Sequence, residues 1–125
     1  VAPGKWGPIN ALSPKYPGDS VQRFLEVQPK PPFLWIRGDT DQIVSDNSLF
    51  DFGTLGQFGL VPGWPGADVY PPQPMVSQVR AILDQYSARG GSYEEVVILD
   101  TGHSPYIEKP EAFMSSFSPF LLLNS

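Results

Sequence analysis

Two short apolar runs constrain the fold more than any other feature of this sequence: "FLWIRG" at residues 33–38 and "YEEVVILD" at residues 93–100. Apolar runs of this length between turn-forming residues are typical of the strands of a parallel sheet. A helical pattern lies between them, with apolar residues at positions 75, 76, 79, 82, 83 and 86. Because alternating strands and helices produce a parallel sheet covered by helices, the sequence predicts an α/β fold.

Caps and prolines predict the remaining elements. Asp19 and Ser20 can cap a short helix through "SVQRFLEV", and Pro110 is expected to open a last helix that runs to about Leu123. Pro119 should kink that helix or start a new turn. The last helix is expected to turn four apolar side chains inward: Phe113, Phe117, Phe120 and Leu121. Residues 49–74 are rich in Gly, Pro and aromatic residues and are expected to form a long ordered loop, which could line an apolar pocket or pack over the sheet.

The edges of the two predicted strands bear on the domain organisation. A chain of 125 residues is long enough for one domain. A parallel pair of strands, each predicted to be buried on both faces, rarely forms a sheet alone, because its outer edges need partners. We therefore interpret residues 30–125 as the C-terminal strand-helix-strand-helix part of a larger α/β core. Residues 1–29 would be a connector, or the end of a lid region, followed by the short helix.

Composition excludes several classes of function. The formal net charge is −5 and the eight basic residues are scattered, which argues against a nucleic-acid or anionic-membrane surface. The absence of cysteine excludes disulfides and thiolate chemistry and leaves the compartment open, so that a cytoplasmic location is compatible. One histidine among scattered carboxylates implies no metal or organic cofactor. No apolar run approaches the roughly 20 residues that span a bilayer.

Polar residues cluster after the carboxyl ends of both predicted strands, where open α/β sheets bind ligands. The first loop offers Asp39, Asp41, Asp46 and Asp51, and the second offers Asp100, His103, Ser104 and Glu108. A histidine that acts as a general base needs a carboxylate on its other ring nitrogen, supplied by a neighbouring rigid element. Asp41 meets that requirement, and Asp39, nearer the strand, is the second candidate.

Two stretches, "PPFLWIRGDTDQIVSD" and "VVILDTGHSPYIEKPEAFMSSFSPFL", resemble the C-terminal third of α/β-hydrolase-fold enzymes, the superfamily of serine esterases and lipases. The resemblance covers residues 30–123. The family pattern is a strand, Gly-x-x-Asp with an apolar pair, a helix, a second strand, Gly-His, and Glu-x-Pro-x-x-Phe. In this sequence its members are Gly38, Asp41, Ile43, Val44, Gly102, His103, Glu108, Pro110 and Phe113.

The resemblance implies a role for each matching residue. Asp41 would be the acid and His103 the general base of a Ser-Asp-His triad, while Glu108 would brace the histidine loop and Gly102 would keep its backbone free of a side chain. The family's Gly-x-Ser-x-Gly nucleophile elbow does not occur in this sequence. Ser104 is a poor substitute, because adjacent residues at a turn seldom place a hydroxyl on the catalytic nitrogen.

The missing elbow implies that the chain by itself is inactive. The expected partners are the missing N-terminal part of the fold or a second chain, together with a small apolar acyl substrate. Two alternatives stay open. One is a non-catalytic fold fragment or assembly module, and the other is an epoxide hydrolase or dehalogenase with an Asp nucleophile.

Overall fold

The computed structural model describes residues 18–125, so the connector or lid expected before residue 18 lies outside the described part. Two strands and five helices follow one another within it. The strands are β1 (Phe33–Gly38) and β2 (Tyr93–Ile98). The helices are α1 (Ser20–Glu26), α2 (Phe52–Gln57), α3 (Met75–Ala88), α4 (Pro105–Glu108) and α5 (Pro110–Leu123).

The two strands form a parallel sheet, in register from Phe33 opposite Tyr93 to Gly38 opposite Ile98. The predicted mixed α/β class with parallel strands is therefore confirmed for residues 18–125. The expectation that both strands are buried on both faces is wrong, since five of the six residues of β1 are half-buried and Glu94 and Val97 of β2 are exposed. In the described part the sheet has two strands, and each leaves its outer edge without a strand partner.

An aromatic cluster joins α1, β1 and α3. The ring of Tyr86 stacks on Phe24 with centroids 5.0 Å apart and meets Phe33 edge-on at 5.1 Å. Tyr86 is fully buried, and its hydroxyl donates a 2.6 Å hydrogen bond to the carbonyl of Pro31. A buried tyrosine needs such a polar partner. The cluster thereby fixes the chain just before β1 against the helix that precedes β2.

The helix predicted from Met75 is confirmed as α3, and glycine ends it. Gly90 has a φ of +92°, and the N–H groups of Gly90 and Gly91 donate to the carbonyls of Ser87 and Tyr86. These two bonds form the Schellman motif, which favours glycine because its left-handed residue has no Cβ to clash. The turn directs the chain from α3 into β2.

Glu95 ties α3 to both strands. Its carboxylate lies 2.7 Å from Arg37 Nε on β1 and accepts two hydrogen bonds from Arg80 on α3, at 2.8 and 3.0 Å. The hydrogen bonds from Arg80, together with the one from Arg37, outweigh the opposing effect of burial and hold the pKa of Glu95 below its ordinary value. This ionic group holds α3 over the sheet next to the aromatic cluster.

The expectation of a loop without regular structure across residues 49–74 is wrong, because α2 forms inside it. Asp51 caps this helix: its carboxylate accepts from Gly53 N, from Thr54 N and Oγ1, and, 22 residues further along the chain, from Gln73 N at 2.8 Å. Gly53 and Gly56 are weak helix formers, so local propensity gave no signal for α2.

Part of this segment packs on itself. A Cβ added at Gly56 would lie 2.3 Å from the indole ring of Trp64, and Trp64 Nε1 donates to the carbonyl of Tyr70 at 3.0 Å. Packing over the segment's own helix therefore accounts for Trp64. Four aromatic side chains of the segment stay exposed instead: Phe50, Phe52, Phe58 and Tyr70.

Two expectations about helix details need correction. Asp19 stands at the N-cap of α1, but its side chain makes no capping hydrogen bond. Helix α5 continues through Pro119, so no new helix starts there, while a kink at Pro119 stays a prediction; Pro119 and Ser115, four residues before it, are both exposed. The carbonyl that Pro119 leaves without an N–H partner can thus be hydrated. Phe113, Phe117 and Phe120 are half-buried as expected, whereas Leu121 is exposed.

We predict that Leu83→Ala lowers the free energy of unfolding by about 2–4 kcal/mol, because it removes buried methyl groups and leaves a cavity. Leu83 on α3 is 8% exposed. The matched control is Leu60→Ala, at a side chain that is 64% exposed, with an expected change within about 0.5 kcal/mol. Urea unfolding measures both, and equal losses would contradict this core.

Candidate active site

Two loops meet at the carboxyl ends of the strands: residues 39–44 after β1, here called the acid loop, and residues 99–104 after β2, the base loop. Parallel pairing places both at one edge of the sheet. His103 Nδ1 lies 2.9 Å from Asp41 Oδ2. The structure thus brings together the two side chains that the sequence pairs, 62 residues apart in the chain.

Asp41 is held by both of its carboxylate oxygens. Oδ2 faces His103, while Oδ1 accepts from the backbone N–H groups of Ile43 and Val44 at 2.8 and 3.0 Å. Burial alone would raise the pKa of Asp41, but the hydrogen bonds from His103, Ile43 and Val44 outweigh it, so the pKa lies below its ordinary value. Asp41 is therefore an ionised acceptor that favours a proton on Nδ1 of the imidazole.

The opposite nitrogen of the ring is open. The His103 side chain is 49% exposed, and no group among residues 18–125 hydrogen-bonds to its Nε2. With Nδ1 protonated and facing Asp41, Nε2 carries the free lone pair. A histidine oriented in this way can accept a proton at Nε2 from a group that approaches from outside the described residues.

The other aspartates have different partners. Asp39, the second candidate for the acid, accepts from Thr101 N at 3.2 Å and does not reach His103. Asp46 accepts from the N–H and hydroxyl of Ser77 in the first turn of α3, at 2.9 and 2.5 Å. Asp51 caps α2. Asp41 is thus the aspartate that contacts His103 in the described part of the chain.

Ser104 and Asp100 take no part in the contact between Asp41 and His103. Ser104 donates its N–H to Glu108 Oε1 at 3.1 Å, and no hydrogen bond joins its hydroxyl to His103 within residues 18–125. Asp100 is almost fully exposed, and its carboxylate lies 3.7 Å from Lys109 Nζ. Neither residue has the geometry of a nucleophile or of a second acid.

Glu108 bridges the two residues that flank His103 in the chain. Its two carboxylate oxygens accept from Gly102 N at 2.9 Å and Ser104 N at 3.1 Å, the residues on either side of His103. A Cβ at Gly102 would lie 3.1 Å from Glu108 Oε1, so a side chain there would press on the brace. This geometry agrees with the bracing role that the resemblance implies.

Sequence reasoning missed Thr101. This residue is fully buried, its hydroxyl donates to the carbonyl of Leu99, and its backbone bonds to both Asp39 and Thr40. A threonine that follows a strand has many roles, so no pattern singled it out. The glycine at position 38 was the one sequence feature that indicated a close backbone approach here. A Cβ at Gly38 would lie 2.0 Å from the Thr101 carbonyl oxygen.

No group of three or more potential ligand side chains in residues 18–125 could hold a metal ion. Over the same range, no helix has the length and apolar character needed to cross a membrane. Comparison of the chain with protein-family models, curated proteins and solved structures found no match.

We predict that Asp41→Asn makes stability less sensitive to acid. The folded-state pKa of Asp41 is lowered, so its contribution is fully present above the ordinary carboxyl pKa and is lost as the pH falls through the folded value. The free energy of unfolding should therefore fall less in the variant than in the native chain between about pH 5 and pH 2. Urea unfolding across this range measures it. Asp68→Asn, at an exposed position, is the control and should follow the native curve; an unchanged slope in Asp41→Asn would contradict the prediction.

We predict that Glu108→Ala speeds amide hydrogen exchange at Gly102 and Ser104 by about five- to tenfold, because each loses a hydrogen bond worth roughly 1 kcal/mol. Glu111→Ala, an exposed carboxylate in the first turn of α5, is the matched control and should leave both rates unchanged. Equal amide exchange rates at Gly102 and Ser104 in the two variants would show that Glu108 does not brace the base loop.

Proposed function

We propose that this chain supplies the acid and the base of a Ser-Asp-His triad in an α/β-fold hydrolase that cleaves an ester or related acyl bond. The observation that carries the proposal is the 2.9 Å contact from His103 Nδ1 to Asp41 Oδ2, with Nε2 open. A carboxylate on one nitrogen and a free lone pair on the other is the arrangement that a general base requires.

Each residue then has a defined chemical step. His103 Nε2 removes the proton of a serine hydroxyl as the serine oxygen bonds to the acyl carbon, and it returns that proton to the departing alcohol. Water repeats the sequence to release the acid and free the serine. Asp41 keeps the imidazole oriented and stabilises its protonated form, and it remains ionised throughout.

The order of the elements supports this proposal. The acid follows β1, a helix leads to β2, and the base follows β2 before the final helix, as in the family that residues 30–123 resemble. The strands are parallel, so both residues stand at the edge of the sheet where such enzymes bind their substrates. Glu108 adds a brace on the base loop.

The nucleophile lies outside this sequence in the proposed enzyme. No Gly-x-Ser-x-Gly elbow occurs among the 125 residues. The outer edges of β1 and β2 have no strand partner in the described part, and further strands that carry the elbow could pair there. The missing N-terminal part of the fold, or a second chain, would supply these strands, and the 125-residue chain alone would be inactive.

The test is p-nitrophenyl ester turnover by the chain assembled with the polypeptide that carries the serine. We predict that His103→Ala and Asp41→Asn each lower kcat by about 10,000-fold, because each removes one member of a unit that acts together. Ser104→Ala should keep native turnover, since Ser104 is not the nucleophile. Turnover that survives His103→Ala would contradict the proposal.

A non-catalytic assembly module is the second candidate, and the unpaired outer edges of β1 and β2 favour it. Such a module would bind its partner chain through those edges and would have no use for His103. In that case the assembled protein would show no ester turnover, and His103→Ala would leave the assembly intact.

A further inference from the structure

We propose that Asp39 is a positioning residue that sets the alignment of the acid loop with the base loop, and so holds His103 on Asp41. The inference rests on the proposed function for its catalytic meaning, although its geometry stands independently. Three features carry it. They are a change of register beyond the strands, a buried backbone contact at Thr101, and the equal spacing of Asp39 from Asp41 and of Thr101 from His103.

The register between the two chain segments changes where the strands end. Within the sheet, opposed residues are 60 apart in the chain, as in Gly38 opposite Ile98. Beyond it, the side-chain contacts join residues 62 apart, both in Asp39 with Thr101 and in Asp41 with His103. The base loop therefore carries two extra residues relative to the acid loop, and without them His103 would not lie opposite Asp41.

Leu99 and Asp100 are these extra residues. Both are exposed, and Asp100 has a φ of +51°, a left-handed conformation that L side chains rarely adopt. The chain still bonds before and after them, since Asp39 N donates to the carbonyl of Ile98 and Thr40 N to that of Thr101. Leu99 and Asp100 thus form a bulge between two backbone hydrogen bonds, one at Ile98 and the other at Thr101.

The side chain of Asp39 adds a hydrogen bond at Thr101, the residue that follows the bulge. Its Oδ1 accepts from Thr101 N at 3.2 Å, while Thr101 O accepts from Thr40 N at 3.0 Å. Thr101 is fully buried, and Gly38 leaves no space between the loops, because a Cβ there would overlap the carbonyls of Thr101 and Gly102. The two loops are in close backbone contact at this point, and the Asp39 carboxylate adds a side-chain hydrogen bond there, two residues before the contact between Asp41 and His103.

The spacing connects this contact to the proposed chemistry. Asp39 precedes Asp41 by two residues, and Thr101 precedes His103 by two residues. A slip of Thr101 against Asp39 would therefore move His103 along Asp41. The carboxylate acts here as a hydrogen-bond acceptor rather than as a charge, so an asparagine, whose side-chain oxygen accepts the same bond, should replace it.

The first test uses proton NMR of the full chain, in which His103 is the only histidine, so its ring N–H signal belongs to one residue. We expect Asp39→Ala to broaden or remove the downfield Nδ1–H signal of the Asp41 contact, and Asp39→Asn to keep it. Asp68→Ala, at an exposed aspartate, is the control and should keep it as well. Thr101 amide exchange, followed in the same samples, should quicken in Asp39→Ala alone.

The second test uses the assembled enzyme. Asp39→Ala should lower kcat by about ten- to a hundredfold with KM unchanged within about twofold, because misplacement of a catalytic group slows the chemical step more than it weakens binding. Asp39→Asn should keep native kcat.

Two results would overturn the inference. One is a native Nδ1–H signal in Asp39→Ala together with faster exchange at Thr101, which would make the contact purely structural. The other is loss of the signal in Asp39→Asn, which would assign the effect to charge. Failure of the proposed function is distinguishable, because it would appear as absent ester turnover while the Asp39 variants still changed the NMR signal.

Discussion

Parallel pairing of β1 with β2 is the constraint on which the rest of the described structure depends. It brings two segments 60 residues apart into register and delivers their polar loops to one edge of the sheet. The ionic group at Glu95 and the aromatic cluster at Tyr86 hold α3 against the strands that it connects. The contact between His103 and Asp41 follows from this arrangement, because each side chain stands a few residues beyond its strand.

The features that sequence predicted well are those that local chemistry determines. Apolar runs between turn residues located β1 and β2, the periodic apolar residues located α3, and Pro110 marked the start of α5. The Asp41 and His103 contact could be anticipated because a base needs a carboxylate from a neighbouring strand end. Only the distance and the orientation had to come from the structure.

The features that escaped prediction depend on contacts between distant residues. Helix α2 contains two glycines and is held by Asp51, which bonds to Gln73 far along the chain. The contact between Asp39 and Thr101 requires the exposed bulge at Leu99 and Asp100, which no periodicity indicates. Leu121 shows a related limit: an apolar pattern marks the side chains that favour burial but does not say whether a partner covers them.

The proposed role of His103 as a base through Nε2 can be tested by chemical rescue. The measurement is ester turnover by the assembled His103→Ala enzyme as free imidazole is added. We expect turnover to be lost in the variant and to return in part as imidazole fills the space beside Asp41. Native turnover in His103→Ala without imidazole would show that His103 is not the base.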